Sequence, residues 1–244
     1  MSFYSSFILS FFSCFFLNYA FCSKLEYKTS STYLSNILDF SNKNLKNIEF
    51  LLNNSAGFDS NIFYIDLSNN KIEEISLHQS ILLKNKYPKL TTLNLENNLL
   101  KNADNLMYLD YLEELNLSGN KFKKIPENIG NLENLRKFYF KGKQDNHNSS
   151  LLTCFKKVNK DELFFPKSFR SLKNLEILDL GYNKRFFEIP EDLIYIFINL
   201  EQLNLNDTSL EFVPFELLSE MQKGRINFNF QNTPFEKYFE SYLQ

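Results

Sequence analysis

The feature that most constrains this 244-residue chain is a short apolar pattern that recurs along most of its length. In the stretch LEELNLSGNKFKKIP, residues 112–126, leucines stand at positions 112, 115 and 117. Copies of this pattern are separated by 27, 28, 22, 23, 40, 25 and 25 residues. Recurrence at periods of about 20 to 50 residues is typical of repeat architectures. The copies are centred on Leu38, Ile65, Leu93, Leu115, Phe138, Leu178, Leu203 and Phe228.

Each copy predicts one short strand. Side chains two residues apart lie on the same face of a strand, so Leu115 and Leu117 point inward and Asn116 points outward. One such strand buries too little to be stable, but stacked parallel strands join their leucines into a continuous core. The return segment at residues 125–135, IPENIGNLENL, adds further apolar residues to that core. We therefore predict an α/β repeat solenoid with a parallel sheet of about eight short strands.

An asparagine follows the strand in four of the copies. These residues are Asn70, Asn98, Asn120 and Asn183. Where the chain turns over the core, a buried backbone group without a partner costs about 1–3 kcal/mol. Asparagine can both donate and accept, so we expect these side chains to form a ladder of hydrogen bonds. Thr208 and Thr233 are weaker substitutes, and the ladder should lapse at Lys43 and Lys143.

In these residues the chain resembles the leucine-rich repeat family. The L-x-x-L-x-L-x-x-N signature covers most of the sequence, and residues 125–135 resemble the plant-type and Ras-suppressor-like repeat units. The resemblance implies an arc-shaped solenoid whose parallel sheet lines the concave face. It also implies a domain that mostly binds other proteins.

The first 23 residues predict a cleaved signal peptide. An apolar run spans residues 7–17, and the small residues Ala20 and Cys22 stand at the spacing that a signal peptidase accepts. A retained membrane anchor and a buried N-terminal cap are the alternatives, and the run is short for a spanning helix. The predicted leucine-rich repeat domain covers residues 24–244. Its parts are an N-terminal cap at 24–36, repeats at about 34–233 with an insertion at about 143–160, and a C-terminal cap at 234–244.

The sequence gives little support for catalysis. Its two histidines, His78 and His147, have no neighbouring ligand or triad pattern, and Cys154 is interpreted as an ordinary thiol. There are only six glycines and no phosphate-binding glycine loop. We expect no enzyme activity, cofactor, metal or small-molecule substrate. The net charge of −2 gives no reason to expect nucleic-acid binding.

The predicted partner is a protein ligand bound on the concave face. The central outward positions form a polar row broken by Tyr139: Asp39, Asp66, Asn94, Asn116, Tyr139, Asp179, Asn204 and Asn229. Tyrosine and arginine dominate interface energetics, so we place the partner contact around Tyr139. The candidate residues are Glu114, Arg136, Lys137, Tyr139, Lys141 and Glu176. The alternative is an ordinary solvated sheet face.

The insertion is a second candidate for partner contact. Residues 136–173 hold ten basic and three acidic residues, a local charge of +7 that could steer an acidic partner. The alternative is a solvated loop.

Three functions stay open from the sequence alone: a secreted or surface-exposed recognition module, an intracellular scaffold or regulatory subunit, and an enzyme or inhibitor acting through the insertion. The chain with one cysteine after residue 23 would also suit a reducing compartment.

Overall fold

The computed structural model of the protein describes residues 36–53, 61–143, 165–184 and 186–242. Eight three-residue strands pair in chain order, all parallel, in one sheet. The strands are β1 Ile37–Asp39, β2 Tyr64–Asp66, β3 Thr92–Asn94, β4 Glu114–Asn116, β5 Lys137–Tyr139, β6 Ile177–Asp179, β7 Gln202–Asn204 and β8 Asn227–Asn229. Each strand is centred on the residue that the sequence pattern indicates. The predicted α/β repeat solenoid is therefore confirmed.

Helical segments return the chain on the opposite side. The α-helices are α1 Glu49–Asn53, α2 Leu77–Lys86, α3 Phe215–Gln222 and α4 Pro234–Tyr242. The 3-10 helices are Asp104–Tyr108, Ile129–Asn131, Lys167–Ser171 and Glu191–Asn199. Strands lie about 4.8 Å apart, whereas packed helices need about 8–10 Å. A stack of such units bends toward its strands, which makes the sheet the concave face.

The sequence of residues 78–90 has the length and spacing of a short helix, and the structure places α2 there as Leu77–Lys86, which is shorter at the C-terminal end. Ser76 begins it with a capping box: its hydroxyl accepts from Gln79 N at 3.2 Å, and the Gln79 side chain accepts from Ser76 N at 2.9 Å. Tyr87 ends it, because a residue that precedes a proline is disfavoured in the helical region. Tyr87 instead lies fully buried under the helix.

The core runs between the sheet and the return segments. The strand-centre residues from Ile65 to Leu203 are buried to within 1%. Phenylalanines replace leucines in two repeats without leaving the core, since Phe138 and Phe140 are buried with ring centroids 5.6 Å apart. At the last repeat, α4 packs Phe235 and Phe239 against the core, while Tyr238 is exposed. Phe230 lies with its ring centroid 5.3 Å from that of Phe235 and 5.5 Å from that of Phe239.

Candidate binding surface

The concave face carries two rows of outward side chains, one at the first and one at the last residue of every strand. Strand pairing keeps both rows in register, so equivalent residues of neighbouring repeats stand side by side. The first row is Ile37, Tyr64, Thr92, Glu114, Lys137, Ile177, Gln202 and Asn227. The last row is the predicted polar row from Asp39 to Asn229. We define the concave face as these two rows plus the residue before each strand and the second residue after it.

Most of the last row has a structural role. In seven of the eight strands it holds Asp or Asn, whose Oδ1 accepts a hydrogen bond from the backbone N–H two residues later at 2.8–3.2 Å. This contact satisfies a backbone donor at the point where the chain leaves the strand. Tyr139 has no carboxylate or amide with which to make it. There, Lys141 N donates instead to the hydroxyl of Ser118 on the neighbouring repeat, at 3.1 Å.

The six candidate contact residues lie together on β4, β5 and β6 and the residues beside them. Lys137 Nζ lies 3.2 Å from Glu114 Oε2, and Arg136 donates to Glu176 Oε1 through Nε at 2.8 Å. Lys141 Nζ lies 3.8 Å from Asp179 Oδ2. Every cation around Tyr139 therefore has a carboxylate partner on a neighbouring strand.

These pairs perturb the titration of the groups involved. The hydrogen bond and charge of Glu176 raise the pKa of Arg136, and those of Glu114 raise the pKa of Lys137. Burial, followed by the charge of Glu114, raises the pKa of Tyr139. Tyr139 is half-buried between the pairs, so its ring offers a contact surface and its phenol stays a hydrogen-bond donor over the physiological pH range.

A second polar cluster lies on β2 and β3, and sequence reasoning missed it. Tyr64 Oη donates to Asp66 Oδ2 at 2.8 Å, and Asn94 Nδ2 donates to the same oxygen at 3.1 Å. Burial, and then the hydrogen bond to Asp66, raises the pKa of Tyr64 to about 12. The signal was present in the sequence, because Tyr64 and Asp66 are two residues apart and therefore share a face of the strand.

The four asparagines behind the sheet join neighbouring repeats through their amides. Asn98 Oδ1 accepts from Ile72 N at 3.0 Å, and its Nδ2 donates to Leu67 O at 2.9 Å and Leu95 O at 3.0 Å. Equivalent contacts to backbone groups are made by Asn70, Asn120 and Asn183. Thr208 and Thr233 donate from a hydroxyl to Leu205 O and Phe230 O, at 2.8 and 2.6 Å. These side chains hold the strands in position but do not face a partner.

Several predicted features lie outside the described residues. They are the signal peptide at 1–23, nearly all of the N-terminal cap, and the insertion beyond Lys143 with His147 and Cys154. Within the described residues, His, Cys, Asp and Glu side chains form no cluster of three that could hold a metal ion. His78 is exposed on α2. In the same part of the chain, no helix has the length and apolar character to cross a membrane.

Comparisons with known proteins agree with the repeat pattern. The leucine-rich repeat family model matches residues 111–132. Tsukushi from Gallus gallus is 30% identical over 187 residues, which is 76% of this chain and 44% of Tsukushi. The probable serine/threonine-protein kinase pats1 from Dictyostelium discoideum is 29% identical over 158 residues, which is 60% of this chain and 5% of that protein. The chain thus spans less than half the length of either relative.

Solved structures show the same fold at low sequence identity. TLR13 in its complex with ssRNA13 has a TM-score of 0.55 at 17% identity, over 81% of this chain and 25% of that one. The functional domain of InlJ from Listeria monocytogenes has a TM-score of 0.51 at 17% identity, over 81% and 39% of the two chains. The ectodomain of the receptor kinase GASSHO1/SCHENGEN3 from Arabidopsis thaliana has a TM-score of 0.50 at 20% identity, over 71% of this chain and 19% of that one.

The repeat pattern, the eight-stranded solenoid and these likenesses define the class. The chain is a leucine-rich repeat protein. Domains of this family are typically protein-interaction modules and are mostly not enzymes.

Proposed function

We propose that this chain is a non-enzymatic recognition module that holds a protein ligand on its concave face, around Tyr139. The observation that carries the proposal is the exchange of a structural Asp or Asn for tyrosine at this one place in the last row. The exchange gives up the backbone contact that seven other strands make, and Ser118 replaces it. A side chain that departs from its structural role in this way is better explained by what it contacts outside the chain.

The surroundings of Tyr139 suit a binding contact. Three partly exposed ion pairs flank it and place charged side chains around its ring. The candidate contact residues are thus Tyr139 as the aromatic anchor and Glu114, Arg136, Lys137, Lys141 and Glu176 as its polar rim. Large aromatic residues surrounded by such a rim are the usual hot spots of protein interfaces.

We further propose that the protein acts outside the cell or at its surface. The apolar run at residues 7–17 and the small residues at 20 and 22 support cleavage after residue 22 or 23. An intracellular scaffold or regulatory subunit is the second candidate, favoured by the single cysteine after residue 23. N-terminal sequencing of the native protein separates the two. A mature chain beginning near Ser23 supports secretion, and a soluble intracellular chain that retains Met1 contradicts it.

The binding proposal is tested with Tyr139→Asn. This variant restores the residue type of the other strands, so its fold should be at least as stable as that of the wild type. The wild type and each variant are used to capture partner proteins from the native source. The amount of each captured protein is then compared by mass spectrometry. Loss of a hot-spot side chain costs about 2 kcal/mol of binding free energy, which lowers the affinity more than tenfold. The matched control is Asn131→Ala on the opposite side of the solenoid, which should change nothing.

A further inference from the structure

Charge is unevenly distributed over the concave face. Three of its residues are cations, all beside or on β5: Arg136, Lys137 and Lys141. Eight are carboxylates: Asp39, Asp66, Glu96, Glu113, Glu114, Glu176, Asp179 and Glu201. The positions on and beside β1 to β4 hold five of these acids and no lysine or arginine.

All three cations of the concave face form ion pairs with carboxylates of the same face. Each pairs with one carboxylate: Lys137 with Glu114, Arg136 with Glu176, and Lys141 with Asp179. Among the described residues, the remaining five carboxylates form no ion pair. Two of these five, Glu113 and Glu201, lie near enough to Arg136 to raise its pKa further. The face as a whole is therefore acidic, although the chain as a whole carries a formal charge of only −2.

The fold does not require these charges. Asp39 and Asp66 accept the backbone N–H two residues later, but Asn94, Asn116, Asn204 and Asn229 make the same contact without a charge. Glu113 is exposed and makes no side-chain hydrogen bond among the described contacts. Adjacent carboxylates in one row repel one another, so a neutral row would be the more stable choice.

We propose that the protein ligand presents a lysine- or arginine-rich segment, which docks on the acidic strands β1 to β4 next to Tyr139. This inference rests on the proposed function and names the chemistry of the partner. The row of Asp39, Asp66, Asn94 and Asn116 crosses four strands at about 4.8 Å each, a span that an extended segment of about five residues matches. Cations of the segment would pair with Asp39, Asp66, Glu96 and Glu113.

The probes are two fluorescein-labelled ten-residue peptides, one alternating lysine with serine and the other glutamate with serine. Binding to the full chain is followed by fluorescence anisotropy at low and at physiological ionic strength. The test variant is Glu96→Gln combined with Glu113→Gln. The matched control is Glu73→Gln combined with Glu74→Gln, which removes two exposed carboxylates outside the face and changes the net charge equally. Asp39→Asn combined with Asp66→Asn is a second test variant.

The lysine peptide should bind the wild type and the control variant equally, and each test variant about three- to tenfold more weakly. Salt should weaken this binding, because the pairs are exposed to solvent. Equal losses in test and control variants, tighter binding of the glutamate peptide, or no binding of the lysine peptide would overturn the inference. A native partner that Tyr139→Asn releases and the acidic variants retain would overturn it too, while leaving the concave-face function intact.

Discussion

The backbone N–H of Lys141 donates to the hydroxyl of Ser118 at 3.1 Å, across two neighbouring repeats. In the other strands the corresponding donor is satisfied by an Asp or Asn of its own repeat. The Ser118 contact therefore compensates for the tyrosine at position 139. It also links the candidate binding residue to the stability of the sheet in a way that mutation can measure.

The compensation predicts an interaction energy between the two positions. Ser118 is buried, so Ser118→Ala should destabilise the wild type by about 1 kcal/mol, because Lys141 N loses its partner. In the Tyr139→Asn background the new asparagine accepts from that donor, and the same change should cost clearly less. Chemical denaturation of the two single variants and the double variant completes the cycle. Strictly additive losses would show that Ser118 does not substitute for an asparagine.

Strand register is tested at two adjacent residues of β4. Leu115 is fully buried and Leu115→Ala should cost about 2–5 kcal/mol, as for other core truncations. Asn116 faces outward, and its side chain makes only partly buried hydrogen bonds. Asn116→Ala should therefore cost less than about 1 kcal/mol. Urea unfolding of both variants gives the comparison. Equal costs at the two positions would mean that the inward and outward residues are wrongly assigned.

The asparagine ladder predicts that replacing the buried polar residue Asn98 lowers the free energy of unfolding. Asn98→Ala would leave Ile72 N without an acceptor, whereas Leu67 O and Leu95 O would keep the amides of Asn70 and Asn120 as donors. With one buried group left without a partner, the expected cost is about 1–3 kcal/mol. The exposed Asn131 provides the control substitution to alanine. A cost below that of Asn116→Ala would show that water replaces the ladder contacts.

The cluster on β2 predicts a pH dependence. Asp66 helps to hold the pKa of Tyr64 at about 12, above its ordinary value of 10.0, so Tyr64 favours the folded state below about pH 10. That stabilisation is lost as the pH rises toward 12. Asp66→Asn removes the charge that disfavours tyrosinate and should lower the pKa of Tyr64, although burial keeps it above 10. Tyrosinate absorbance is titrated in both proteins, with Tyr64→Phe identifying the transition, and superimposable curves would refute the assignment.

The fold could be read from the sequence because its periodicity is strong. Residues such as Leu93 and Leu203 have inward neighbours two positions away, and only stacked short strands bury all of them. The end of α2 was less predictable, since the pattern of residues 78–90 does not reveal that Tyr87 turns inward before Pro88. Similarity to the family supports the class of fold, whereas the choice of ligand depends on the surface residues of this chain.

The candidate site was only partly predictable. Tyr139 stands out as the one aromatic residue in a polar row, and the acids on the neighbouring strands are visible in the sequence. The pairing of Arg136 with Glu176 spans 40 residues and depends on how far two side chains reach across the sheet. The basic insertion, predicted to steer an acidic partner, lies mostly outside the described residues and stays a prediction. On the described strands, the paired cations leave the acidic groups in excess.

The central claim is that the concave face binds a protein, and site-specific photocrosslinking tests it most directly. A benzophenone amino acid is introduced at Gln202, an exposed first-row position of β7, and in a separate variant at Asn131 on the opposite side. Both proteins are irradiated in an extract or medium of the native source, and adducts are identified by mass spectrometry. The account predicts a discrete protein adduct from position 202 and none from position 131. An adduct from position 131 alone, or equal yields at both positions, would contradict it.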